Sequence, residues 1–148
     1  MMRLMPPMLA VLGCILCAIP AAAQGTCTKA EFEAVVDDAA AALRTLTREN
    51  SPTFQAKLRQ LKDKRGWSHE EFLKAAAPLV RDDAIADLDQ KSEDLLRAIA
   101  SKGEAGSAAA VPDCALLGEV RGTMASLVET QKAKWTYMFG KIDAELAR

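Results

Sequence analysis

From Leu117 to Leu146 apolar side chains return every three or four residues, at Leu117, Val120, Met124, Leu127, Val128, Trp135, Met138, Phe139, Ile142 and Leu146. That spacing describes one face of an α-helix, and Asp113 stands where a helix cap belongs. Unbroken from Asp113 onward, the segment would extend about 50 Å at 1.5 Å per residue. Elsewhere no stretch alternates as a strand does, and Val and Ile are sparse. The expected fold class is all-α, a bundle of four to five helices closed by one disulfide.

Punctuation along the chain divides the other helices. Thr28 with Glu31 forms a capping box and opens an apolar series at Phe32, Val35, Val36, Ala39, Leu43 and Leu46. That first helix is expected to end near Asn50, because Ser51-Pro52 reads as an N-cap followed by proline at the first helical position. A short second helix then buries Phe54, Leu58 and Leu61, places Lys62, Lys64 and Arg65 in its last turn, and stops at Gly66. Ser68 and Glu71 make a second capping box, with Trp67 and Phe72 placed as a hydrophobic staple. Pro78 ends or kinks this third helix. The pattern resumes at Leu79, Ile85, Leu88, Leu95 and Ile99, with Ser92 where an apolar residue would fit, and Lys102-Gly103 closes it. Residues 103–112, GEAGSAAAVP, lack periodicity and read as a loop.

The first residues read as an address. Arg3 provides a positive start, Met8–Ile19 an apolar run, and Ala21-Ala22-Ala23 a small-residue site before Gln24. These are the parts of a secretory signal peptide cleaved after Ala23. The run is too short for the ~20 residues that span a bilayer, so no transmembrane anchor is expected in the mature chain. Val11-Leu12-Gly13-Cys14 loosely resembles a lipobox, with Leu where a smaller residue is usual. Residues 1–23 are therefore expected to be leader and residues 24–148 a single helical domain of the periplasm, or secreted outright. Removing the leader takes away Arg3 and no acid, which leaves 125 residues with 18 basic and 20 acidic side chains. That balance argues against a sequence-independent nucleic-acid binder.

Cys14 and Cys17 leave with the leader, so Cys27 and Cys114 remain and are expected to pair. A bridge requires their Cα atoms to lie within ~7 Å, which brings the starts of the first and last helices together. Five helices alternating up and down satisfy this requirement, with a real turn near Ala77–Leu79. An alternative keeps one long helix through Pro78 and lays the short second helix across the bundle. Gly118 and Gly122 on the last helix read as a close approach to another helix, such as the alanine run Ala39–Ala42.

Residues able to carry chemistry are few. His69 is the single histidine, and its His-Glu-Glu context is not the H-E-x-x-H zinc signature, since position 73 is Leu. No serine sits in G-x-S-x-G, and no C-x-x-C-H is present. No catalytic residue, metal or cofactor is expected. Acidic residues crowd the segment after Pro78, where Asp83, Asp87 and Asp94 form a candidate face for attracting a cation; mixed charges there equally describe a solvated helix face. Tyr137 points away from the core face, between Lys134 and Lys141, and these three are a candidate interaction surface.

The expected role is binding without catalysis, to another envelope protein or to an unfolded client. The alternative is an accessory that holds a small cationic solute such as a basic amino acid or polyamine. With one disulfide, a Cys just before a helix and a basic-aromatic last helix, the chain resembles the small acid-stress periplasmic chaperones. The likeness is carried by Cys27, Phe32, Cys114 and the Lys134-Trp135 region. It implies client binding and extends to no motif that transfers residue by residue.

Overall fold

The computed structural model describes residues 26–148; the expected leader, residues 1–23, lies outside them. Four helices make up the described residues, with no strand among them: α1 Lys29–Arg65, α2 His69–Val80, α3 Asp83–Ala108 and α4 Cys114–Ala147. The count falls within the expected four to five, but three boundaries differ from the sequence reading.

The first difference is at Ser51-Pro52, where α1 continues for 37 residues with Pro52 inside it. Proline there removes the N–H that would reach the Arg48 carbonyl. The helix survives because its apolar face stays in phase across the site, with Phe54 and Leu61 buried on the stripe begun by Phe32, Val35 and Ala39. Tertiary packing of one continuous face outweighs the local stop signal. Asn50 turns its side chain back onto the helix, Nδ2 donating to the Leu46 carbonyl at 2.8 Å.

The second difference concerns residues 103–112, where α3 runs on through Gly103 and Gly106 to Ala108 and only residues 109–113 connect to α4. Both glycines face α1 and are buried. A Cβ on Gly106 would lie 2.1 Å from the Phe32 ring, and one on Gly103 would lie 3.1 Å from Val36 Cγ2. Glycine here is what lets two helices meet closely, an advantage that outweighs its propensity cost of ~1 kcal/mol. Gly118 and Gly122 do not play that part. Both are exposed, with nothing within 4 Å of an added Cβ.

Cys27 and Cys114 are bridged, their Cα atoms 5.5 Å apart. This sets α1 and α4 parallel, as the Glu31–Arg121 pair near one end and Lys57–Asp143 near the other confirm. α3 runs antiparallel to both, with Lys102 paired to Glu119 and Asp89 to Lys134. Strict alternation of four helices would put the start of α4 at the wrong end. The short α2 removes the conflict: it sits at the far end of α1 and touches α4 more than α1 or α3. The third difference is here: no turn occurs at the expected Ala77–Leu79, because α2 carries Pro78 inside it and buries Leu79, and the chain breaks only at Arg81-Asp82, where Asp82 caps α3 through Ile85 N–H at 2.8 Å.

Two apolar clusters fill the bundle. Near the disulfide lie Phe32, Val35, Ile99, Leu117, Val120 and Leu127. Toward α2 lie Phe54, Leu61, Leu79, Ile85, Met138 and Ile142, flanked by Trp67, Trp135 and Phe139. Between them is a polar layer. Gln131 donates to Ser92 Oγ at 2.7 Å, Ser92 donates to the Leu88 carbonyl, and buried Thr130 donates to the Ser126 carbonyl. Every buried polar side-chain atom of the described residues is satisfied.

Candidate functional site

The end of the molecule that carries α2 is built around a cleft. Gly66, at φ 62°, ends α1 in the left-handed conformation that glycine adopts without strain. The chain then turns through Trp67 to Ser68, whose hydroxyl accepts from Glu71 N–H while the Glu71 carboxylate accepts from Ser68 N–H. That reciprocal cap fixes where α2 starts, and with it the gap between α2 and the last turns of α4. The resulting cleft measures about 450 Å³ and is floored by Leu61, Trp67, Ala75, Pro78 and Leu79. Lys141, Glu145 and Arg148 of α4 contribute its polar rim.

Polar ties hold the cleft's walls. Lys141 donates to the Asp82 carboxylate and to the Pro78 carbonyl, while Tyr137 Oη donates to Asp82 Oδ2 at 2.9 Å. Lys141, and then the Ile85 N–H, hold the Asp82 carboxyl below its ordinary range, and the same acceptor raises the Tyr137 phenol above its own. On the α1 side Lys64 donates to the Leu146 carbonyl at 2.5 Å, and Arg65 reaches the Glu145 carbonyl at 3.1 Å and its carboxylate at 3.3 Å. Lys62 sits 5.9 Å from the centre of the Phe72 ring. Backbone donation from Ser68 likewise lowers the Glu71 carboxyl. α2 is thus started by its own Ser68–Glu71 cap and held near its C-terminal end by Lys141 on the Pro78 carbonyl, with Leu79 its one buried residue and Leu73 left 56% exposed.

The three residues expected to form an interaction surface come together here, but they face α3. Lys134 pairs with Asp89 at 2.5 Å, Lys141 with Asp82, and Tyr137 with the same Asp82. They tie α4 to the start of α3, and only Lys141 reaches the cleft. Asp83, Asp87 and Asp94 lie exposed on the outer side of α3 and line none of the principal clefts. Asp94 accepts from Gln90 and Arg97 on its own helix. His69 is exposed at the first position of α2. Among the described residues no group of three or more His, Cys, Asp or Glu is arranged to hold a metal ion, and no helix is long and apolar enough to cross a membrane.

The sequence reading places Asp82 only among the acids that crowd the segment after Pro78, and misses its role as cap and tie. Its signal was present: an acid just after the proline-marked break and three residues ahead of the buried Ile85 is an N-cap pattern. Its second oxygen is the part no local pattern reveals, since its partners stand 55 and 59 residues away. The chain matches no family model, and no curated protein or solved structure shows significant similarity to it.

Proposed function

We propose that this is an exported helical protein that acts by binding polypeptide, an envelope partner or an unfolded client, at the cleft beside α2. The observation that carries this reading is the cleft itself. An apolar floor with a few polar groups at the rim is the form binding sites take, and here it lies under a short helix held mainly by side-chain ties. Export is supported by the three-part leader and by the bonded cysteines, which suit an oxidising compartment. The resemblance to small periplasmic chaperones points the same way. The cationic-solute reading has less support, because Asp83, Asp87 and Asp94 form no concavity.

Filling the cleft tests the proposal. Ala75→Trp places an indole between α2 and α4, over the outer side of Leu61 and Leu79, and replaces no buried side chain. The probe is a permanently unfolded, carboxymethylated lactalbumin carrying a fluorophore, titrated with the mature chain. The reading expects saturable binding that drops at least tenfold in Ala75→Trp, with the helical circular dichroism unchanged. Equal binding by both proteins, or none by either, would sink it.

A further inference from the structure

A second groove lies at the opposite end of the bundle, on the outer seam between α1 and α3. Val36 of α1 stands against the buried Gly103 of α3, above the fully buried Phe32 ring, and together these line a shallow groove along the seam. One side of Val36 packs on Gly103, and the rest of the side chain is 38% exposed. Glu33 and Asp37 on α1 and Glu104 on α3 form the rim. All three carboxylates are exposed, and none has an ion-pair partner among the described residues. The contrast with the α2 end is marked, since there Asp82, Asp143 and Glu145 are each matched by a cation. Along α3, seven residues before Gly103, Leu96 is 43% exposed on the same stripe. The two apolar points are about 10 Å apart along the helix axis at 1.5 Å per residue.

We propose that this groove seats a basic amphipathic helix of a partner protein. A helix lying along α3 presents side chains at i and i+7 with the same spacing of about 10 Å. One apolar anchor rests on the Val36–Gly103 floor and the next on Leu96, while Lys or Arg side chains on either flank meet Glu33, Asp37 and Glu104. Charge complementarity of this kind sets partner choice and encounter rate. The cleft is about 270 Å³, below the roughly 300–1,000 Å³ of a small-molecule pocket, and an open groove of that size suits a side chain better than an enclosed solute. Arg44, on α1 beyond Asp37, marks where the acidic stretch ends. The surface is distinct from the cleft beside α2, and the proposal does not depend on that site.

The test uses the mature full-length chain and three labelled 14-residue peptides followed by fluorescence anisotropy. One is built of Leu and Lys with leucines at heptad spacing, one has the same composition scrambled, and one replaces Lys with Glu. The patterned basic peptide is expected to bind, several-fold more weakly at high salt, with the other two at least tenfold weaker. A charge-reversed variant, E33K/D37K/E104K, is expected to lose tenfold or more, and Leu96→Ser about threefold. The control D83K/D87K/D94K changes net charge equally and is expected to lose less than twofold. Circular dichroism melting checks that each variant folds. Equal losses in both triple variants would reduce the effect to general acidity and overturn the proposal. So would equal binding of the scrambled peptide, or no binding. Displacement by spermidine at comparable concentration would assign the groove to a cationic solute instead. A wild-type dimer that dissociates in the triple variant would assign it to a second copy of the chain, and either result rejects the partner helix.

Discussion

The two ends of the bundle are secured by different means. At the disulfide end the cluster is aliphatic apart from Phe32, the helices meet closely at Gly106, and a covalent bridge ties α1 to α4. At the other end the packing is aromatic, with Phe54 edge-on to Trp135 at 6.1 Å and to Phe139 at 5.5 Å between ring centres. Among the described residues no covalent tie exists there, and α2 is held by Leu79 and by Lys141, which bridges the Pro78 carbonyl and the Asp82 carboxylate. Side chains that can swing away do what a bridge does at the opposite end. The cleft opens at the end held by such reversible contacts, and the unpaired acidic groove lies at the end that is locked. Local stability differs between regions of one domain in proportion to how they are held.

Removing the bridge tests the first half of that comparison. Cys27→Ser with Cys114→Ser frees a loop of 87 residues, which the chain-entropy model values at about 4.5 kcal/mol. Urea unfolding is expected to show a loss of that order, and native-state hydrogen exchange should then place the first opening near residues 27–36. If α2 still opens first, the bridge is not what separates the two ends. At the aromatic end Phe54→Ala leaves a cavity between two rings and is expected to remove about 4 kcal/mol, with the near-ultraviolet circular dichroism of Trp135 largely lost.

Glycines sharpen the comparison further. Gly106→Ala forces a methyl group into the fully buried Phe32 ring and is expected to destabilise by about 3 kcal/mol, although alanine is the better helix former. Gly122→Ala meets nothing and is expected to stabilise by up to about 1 kcal/mol. Two identical substitutions of opposite sign, read from thermal melts, would establish that close approach occurs at α1–α3 and not on the outer side of α4.

Acid gives the smallest and most local effect. Glu71 and Asp82 both have folded-state values below their ordinary ones. Their stabilisation is fully present above the unfolded carboxylate values of about 4 and is lost as the pH falls through the depressed folded values. Glu31, lowered first by the Thr28 N–H and then by Arg121, follows the same sign at the disulfide end, but the bridge there remains. Amide exchange in α2 is therefore expected to rise below pH 4 before that of the first turns of α1 and α4. Asp82→Asn should reproduce the rise at pH 7, and Tyr137→Phe should give a weaker version of it. Uniform exchange across the molecule in acid would show that these carboxylates do not gate α2.

Much of this was legible from residue types alone. Both capping boxes, the cap at Asp113, the all-helical class and the cysteine pairing depend on short spacings or on simple elimination. Ser92 stood out as a polar residue on an apolar face, and it proved to be part of the layer between the clusters. The continuity of α1 was legible only by giving the phase of Phe54 and Leu61 more weight than the Ser51-Pro52 signal. Tyr137, Lys134 and Lys141 were grouped as a surface by helix spacing, but that they pair with Asp82 and Asp89 was not readable, because those acids come from the α3 segment.

The sequence by itself determined where most helices begin, since a cap is a contract between residues three apart, and it pointed to the bridge, since Cys27 and Cys114 are the two cysteines outside the expected leader. Tertiary structure decided where helices end or persist. A proline or a glycine carries a local cost of about 1–3 kcal/mol, and whether that cost is overcome depends on what a distant helix gains by packing there. Phe54 buried against α4 carries α1 past Pro52, and Phe32 buried against Gly106 carries α3 past Gly103. Neither gain is written in the residues around the break.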